Sequence, residues 1–310
     1  MTRTILFLGF GYVAERLARA LAREGWRIAA TARNEEKAAA LRETGVNAFL
    51  WRDGTIEDGA FDADALLIST PPDGTGCPAF RAIAAPRPRA RWIGYLSSNG
   101  VYGDHGGAMV DEETPLRAAS PRARHRVLAE SQWTDYRASG AHVVIFRLPG
   151  IYGPGRSAFD ALREGRAQRI VKPGQMFSRA HVDDIARALQ ASLANPDASD
   201  VFNIADDEPA PPQDVVLHAA NLLGIAPPPE IRFEDAQLSE MAKSFYADNK
   251  RVSNARMKAR LTPRLFYPTY REGLAAILAE ERHSALGSGE GSGAAAFSFQ
   301  REIDSTRQDT

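Results

Sequence analysis

Apolar positions in the first half of the chain fall into short unbroken runs separated by amphipathic stretches. Residues 4–8 (TILFL) read as a strand buried on both faces, because no polar position interrupts them. Residues 13–24 read as a helix, with Val13, Leu17, Ala20, Leu21 and Glu24 at helical spacing. A strand at 27–31 (RIAAT) and a helix at 35–43 follow. Further strands are predicted at 46–50, at 65–69 (ALLIS) and at 91–96 (RWIGYL). A long helix at 122–137 leads into a sixth strand at 142–147 (HVVIFR). Continuous apolar strands alternating with helices predict an α/β chain, a doubly wound parallel sheet covered on both faces.

The second half is less regular. A helix at 185–193, a short strand at 201–204 and helices at 214–223 and 270–280 are predicted, with prolines punctuating 205–230. From Ser284 to Thr310 the chain carries Gly287, Gly289, Gly291 and Gly293 and little apolar periodicity, which predicts a loose, disordered tail. No internal repeat is found.

Composition narrows the classes. The 310 residues hold 38 Lys+Arg against 39 Asp+Glu, a net charge of -1. A nucleic-acid binder would show a basic excess. The longest apolar run, 5–14, contains two glycines and falls short of the roughly 18 residues a membrane span needs. Cys77 is the single cysteine, which excludes an intrachain disulfide and a cysteine-based zinc site. A cytoplasmic protein is expected, with a small molecule as partner and neither nucleic acid nor membrane.

The first candidate chemistry lies where the first strand meets the first helix. Gly9-Phe10-Gly11-Tyr12-Val13-Ala14 is G-x-G-x-x-A in a strand–turn–helix setting. Gly9 permits a tight turn and Gly11 lets backbone approach a pyrophosphate. Ala14 is small enough for the helix to lie on the strand. The helix N-terminus then offers free N–H groups, from Tyr12 and Val13 onward, to an anion. The alternative is a glycine-rich turn without a ligand. The second strand ends Ala29-Ala30-Thr31-Ala32-Arg33-Asn34, with no acid to bind a ribose 2′-hydroxyl. Arg33 can pair with a 2′-phosphate, with Thr31 or Asn34 adding hydrogen bonds, so NADP is favoured over NAD. As a plain surface residue, Arg33 would carry no such meaning. Thr70 and Pro71 end the fourth strand, where backbone borders a dinucleotide in this type of sheet.

Several ordered motifs then resemble one superfamily. Leu96-Ser97-Ser98-Asn99-Gly100-Val101-Tyr102-Gly103 is similar to the LSS-x-x-VYG segment of extended short-chain dehydrogenases/reductases, the NAD-dependent epimerase/dehydratases among them. Asp111–Pro115 resembles their acidic E-x-T-P loop, and Arg147–Arg156 their R-x-x-x-I/V-Y-G-P-G-R strand and loop. His181-Val182-Asp183-Asp184 resembles their H-V-D-D helix start, and Val201-Phe202-Asn203-Ile204 their V-F/Y-N-I/V strand. The resemblance spans 1–283. It implies a dinucleotide-binding Rossmann body at 1–155, rejoined by 181–205, and a substrate lobe from 156–180 and 206–283. It also implies a homodimer through a two-helix contact to which 122–137 would contribute.

One departure stands out. The family's Tyr-x-x-x-Lys, anchored on Glu130, falls on Arg122 and Arg126, and no tyrosine occurs between Tyr102 and Tyr136. The combination is similar to the atypical, YeeZ-like group. Arginine stays protonated and cannot exchange the proton that the phenol moves in ordinary members. Two arginines four apart share a helical face and could fork onto a phosphate or carboxylate. His125 is the candidate substitute proton carrier, since imidazole titrates near neutrality; otherwise it is an exposed helix histidine. Ser98 matches the family's catalytic serine, which bonds the substrate oxygen; otherwise its hydroxyl satisfies local backbone. For His181, Asp183 and Asp184 a helix-start role is expected rather than a metal. Two functions compete. One is an NADP-dependent oxidoreductase or epimerase-like enzyme acting on a small anionic substrate through Ser98, His125, Arg122 and Arg126. The other is a non-catalytic NAD(P)-binding redox sensor.

Overall fold

The computed structural model describes residues 2–83, 89–138, 141–195 and 200–287, with side chains to residue 284. The chain opens β1 (Thr4–Leu8), α1 (Tyr12–Arg23), β2 (Arg27–Ala32), α2 (Glu35–Glu43), β3 (Asn47–Arg52), β4 (Thr55–Ile56) and β5 (Ala65–Ile68). Next come α3 (Pro78–Ile83), β6 (Trp92–Ser98), a single 3-10 turn (Asn99–Tyr102), β7 (Met109–Val110), α4 (Pro121–Ala138) and β8 (Val143–Leu148). Then follow β9 (Gly150–Tyr152), α5 (Ala158–Arg163), β10 (Arg169–Val171), β11 (Arg179–His181), α6 (Val182–Ala194) and β12 (Val201–Asn203). The last part holds α7 (Pro212–Leu223), β13 (Glu230–Arg232), α8 (Glu240–Ala247), β14 (Arg251–Val252), α9 (Ala255–Arg260) and α10 (Tyr270–Gly287).

Eight strands form one sheet in the order β12-β8-β6-β5-β1-β2-β3-β4. All its pairings are parallel except β3 with β4. The unbroken apolar runs are explained by two-sided burial. In β1, Ile5 and Phe7 join a core with α1, α2 and α6, whereas Leu6 and Leu8 join the core on the opposite face. That second core includes Ala79 and Ile83 of α3 and Ala129 and Trp133 of α4. This is a Rossmann arrangement, and the strand order reverses between β1 and β5. In such sheets the crevice at that reversal, beyond the carboxyl ends of the strands, is where ligands bind.

A third core joins Tyr152 and Phe159 to Ala219 of α7 and to Tyr270, Leu274, Ile277 and Leu278 of α10. A fourth, of Val101, Tyr102, Val110, Ala205 and Val252, lies where β14 pairs with β7. Several element boundaries moved, and two of the shifts bear on the site or the tail. Helix α6 starts at Val182 rather than 185, because His181 caps it: its Nδ1 accepts the Asp183 N–H at 3.2 Å. Helix α10 runs to Gly287, past the expected end at 280 and into the stretch read as a loose tail. The remainder of that tail, 288–310, lies outside the described residues. No helix among the described residues is long and apolar enough to cross a membrane.

Candidate functional site

Gly9 takes φ +90°, a region that penalises any side chain. A Cβ there would stand 2.8 Å from Ser69 Oγ and 3.2 Å from the Thr70 nitrogen. The turn is therefore pressed against the end of β5. It is pinned there: Ser69 Oγ donates to the Gly9 carbonyl at 2.9 Å, and the Gly9 N–H donates to Thr31 Oγ1 at 3.1 Å. Gly11 differs. It is the N-cap of α1 without a side-chain cap, and a Cβ on it would meet nothing within 4 Å. Open space therefore faces an uncapped helix N-terminus, at the point where the strand order reverses. Those features fit a pyrophosphate.

The neighbouring candidates divide. Val13 and Ala14 turn their side chains into the core, which leaves only backbone N–H groups for a ligand. Tyr12 reaches away from the turn. Its hydroxyl donates to the Pro154 carbonyl at 3.0 Å, and burial raises its pKa. Thr31 is buried and already holds Gly9, and Asn34 Oδ1 caps α2 by accepting from the Lys37 N–H at 2.9 Å. The hydrogen bonds expected of these two towards a 2′-phosphate are thus spent on the fold. Arg33 sits between them, exposed and with no hydrogen bond or ion pair to any described residue. Thr70 keeps a buried hydroxyl with no partner beside the turn, and Pro71 follows it.

A second group of residues surrounds the carboxyl end of β6. Ser98 is half-buried, and its Oγ accepts the Gly100 N–H at 3.1 Å, capping the 3-10 turn. The hydroxyl hydrogen is left to donate elsewhere. Beneath lies a buried polar network. Ser97 Oγ donates to Glu130 Oε1 at 2.5 Å, and Arg147 Nη2 donates to Glu130 Oε2 at 2.7 Å. Arg147 Nη1 reaches the Tyr102 hydroxyl at 2.9 Å, which donates to Asn203 Oδ1 at 2.8 Å. Burial lowers the Arg147 pKa, but the Glu130 carboxylate outweighs it and the net direction is upward.

Helix α4 delivers the arginines. Arg126 Nη1 donates to the Leu96 carbonyl at 2.6 Å, so part of its fork is spent on β6. Arg122, one turn earlier, is exposed and makes no hydrogen bond or ion pair with any described residue. His125 is half-buried and faces Gly74, whose Cβ would lie 3.7 Å from His125 Nε2. The tyrosine of α4 is Tyr136, near its far end. His181, Asp183 and Asp184 serve structure. Asp183 pairs with Arg16 of α1 (Nη2–Oδ2 2.9 Å), and Asp184 accepts the Phe266 and Tyr267 amides at 2.7 and 2.9 Å.

Comparison with known proteins agrees with this geometry. Residues 83–205 match the model of the NAD dependent epimerase/dehydratase family, and residues 4–75 match that of NADP oxidoreductase coenzyme F420-dependent. The Escherichia coli K12 protein YeeZ is 30% identical over 275 residues, covering 81% of this chain and 93% of that one. The chain belongs to the NAD-dependent epimerase/dehydratase family. A Streptomyces protein named 3-diazoavenalumate denitrifying reductase is 29% identical over 211 residues, 63% of this chain and 66% of that one. A functionally unknown conserved protein from Silicibacter pomeroyi has a solved structure with a TM-score of 0.83 at 49% identity. The match covers 90% of this chain and 99% of that one. The family's description names NAD, which supports a nicotinamide dinucleotide as the cofactor.

Sequence reasoning passed over Arg179. Arg179 of β11 lies against Gly150, whose Cβ would be 3.9 Å from Arg179 Cγ. Nothing marked it in the sequence, because it stands two residues before the H-V-D-D motif and belongs to none of the matched segments.

Proposed function

We propose that the protein is an NADP-dependent oxidoreductase acting on a small anionic substrate. The observation that carries the reading is the Gly9–Ala14 turn, with open space before an uncapped helix end. Arg33, exposed and without a partner among the described residues just past the end of β2, supports NADP over NAD, as a guanidinium matches a 2′-phosphate. The cofactor supplies or accepts hydride when bound. This chain's residues do the rest. The Ser98 hydroxyl orients a substrate oxygen, His125 carries the proton, and Arg122, with the remaining donors of Arg126, faces negative charge. The Streptomyces relative is by its name a reductase of 3-diazoavenalumate, which supports a reductive reaction on an anion. Cys77, buried and free, suits a reducing cytoplasm.

Thermal melts with NADPH and NADH test this. NADPH should raise the melting temperature, since a ligand of the folded state stabilises it. Gly11→Val should melt within a few degrees of the wild type and lose that rise, because its side chain enters the open space. Arg33→Ala should lose about tenfold of the preference for NADPH, the worth of one charge-assisted contact. No rise with either nucleotide would reject the reading.

A second reading, a non-catalytic redox sensor, is favoured by one observation: α4 carries Arg122 and Arg126, at the positions that the family resemblance assigns to Tyr and Lys. Hydride exchange from labelled NADPH, lost in His125→Ala, would defeat it.

A further inference from the structure

Arg179 is a cation in an unusual setting. It is half-buried, yet no carboxylate among the described residues forms an ion pair with it. Its Nη1 is spent on two carbonyls, those of Phe177 at 2.9 Å and Ala210 at 3.1 Å. Nε and Nη2 make no hydrogen bond with any described residue, and neither is sealed away from solvent. Tyr270 lies 5.9 Å beneath the guanidinium carbon. The head group is therefore clamped, half its fork is open, and its charge is unanswered.

The nearest acid does not answer it. Asp206 is buried, and burial raises its carboxyl pKa to about 8 although Arg179 and the Glu208 amide pull the other way. Burial thus biases it towards the protonated form, and neither of its carboxyl oxygens has a hydrogen-bond partner among the described residues. Glu208 is turned to Arg271 at 3.1 Å. The tyrosines facing Arg179, Tyr152, Tyr246 and Tyr270, are each held protonated by burial. An enclosed guanidinium without a counter-ion is costly unless something else supplies the negative charge.

Its position indicates what that is. Ser98 pairs in register with Leu148, and two residues on Gly150 pairs with Arg179. The backbone of Arg179 thus stands at the same end of the sheet as that of Ser98, one short strand away.

We propose that Arg179 is the specificity-determining residue of this cleft and receives an oxyanion of the substrate, a carboxylate or a phosphate, on its Nε and Nη2. The proposal rests on the reading that the cleft beside Ser98 takes a substrate, and it adds Arg179 to Arg122 as a seat for the anion. A planar fork with two parallel donors suits either oxyanion.

Calorimetric titration of the full chain tests it, with and without NADPH, at constant ionic strength. The probes are benzoate and inorganic phosphate, with neutral benzamide and chloride as controls. One oxyanion should bind saturably while the controls do not, and which one binds separates the carboxylate from the phosphate. Arg179→Gln should weaken that binding at least tenfold and leave the NADPH affinity unchanged. Should Arg179→Gln fail to fold, Arg179→Lys keeps the charge and loses the fork, and a tenfold weakening is expected there too. Binding retained by these variants but lost in Arg122→Gln would overturn the proposal, as would no oxyanion binding by the wild type. NADPH is read in a separate arm, so failure of cofactor binding is distinguishable from failure of Arg179.

Discussion

Two buried residues carry opposite titration biases. Burial holds His181 down to about 4 and pushes Asp206 up to about 8. Asp206 in the folded chain keeps a proton that the unfolded chain gives up near its ordinary value of 3.8. Stability from this group is whole at low pH, erodes as pH rises, and is gone above about 8. His181 acts the other way. Its contribution is whole above its ordinary value of 6.5 and is lost as pH falls towards about 4. The interval between 6.5 and about 8 therefore isolates Asp206. Asp206→Asn, which cannot ionise, should melt ~5 °C or more above the wild type at pH 8.5, with the difference shrinking towards pH 6. Melting curves against pH check it; a difference that does not change with pH would contradict the assignment. At this scale the sequence was partly legible. The glycine turn and Arg33 announce themselves by residue type, but Thr31 and Asn34 do not. A short hydroxyl or amide serves a ligand or its own backbone equally well, and only the fold shows Thr31 holding Gly9.

Among the elements, α4 shows what was readable and what was not. Its extent was plain from periodicity, and the arginines at family positions were visible as letters. What those letters touch was not. Arg126 bends to the Leu96 carbonyl, while Glu130 enters the pair with Arg147, both partners being more than nine-tenths buried. That pair joins α4 to β6 and β8 through Ser97. Removing one charge leaves the other enclosed, at a cost of about 3–5 kcal/mol. Glu130→Gln should accordingly lower the melting temperature by on the order of 10 °C. Glu130→Gln combined with Arg147→Met should recover most of the loss, because no orphaned charge remains. An additive double variant, measured by the same melts, would contradict this account. Short strands such as β7, β11 and β14 escaped the sequence for a different reason. Two or three residues are too few to show an alternation, and their pairing partners are distant in the chain.

Across the whole molecule, the sheet and the C-terminal core meet along a seam threaded by Asn249. Its carbonyl accepts the His105 and Gly107 N–H groups at 3.0 and 2.9 Å, and its own N–H donates to Asp104 Oδ1 at 2.8 Å. The side chain faces the other way, accepting the Met176 N–H at 3.1 Å and donating to the Gly174 carbonyl at 2.9 Å. Lys250 Nζ adds a bond to the Gly103 carbonyl at 2.9 Å, and burial lowers its pKa. Asn249→Ala removes only the second set. Amide exchange should speed up around Met176 by roughly five- to fiftyfold, the range of one hydrogen bond lost, while β1 and β5 keep their protection. Exchange followed by mass spectrometry reads this, and uniform acceleration would mean a general loosening instead. The doubly wound body was legible because alternating strands and helices repeat one local rule. The seam was not, because it is made of single residues whose bonds reach segments distant in the chain.

Tyr12 occupies a freely variable position of the glycine turn, yet its phenol ends on Pro154 and fills the space beside Gly153, where a Cβ would stand 2.5 Å from the hydroxyl. The ring therefore ties the glycine turn to the loop that follows β9, and both share one side chain. By reciprocity, whatever factor a guest at the turn imposes on affinity at that loop is imposed equally in return.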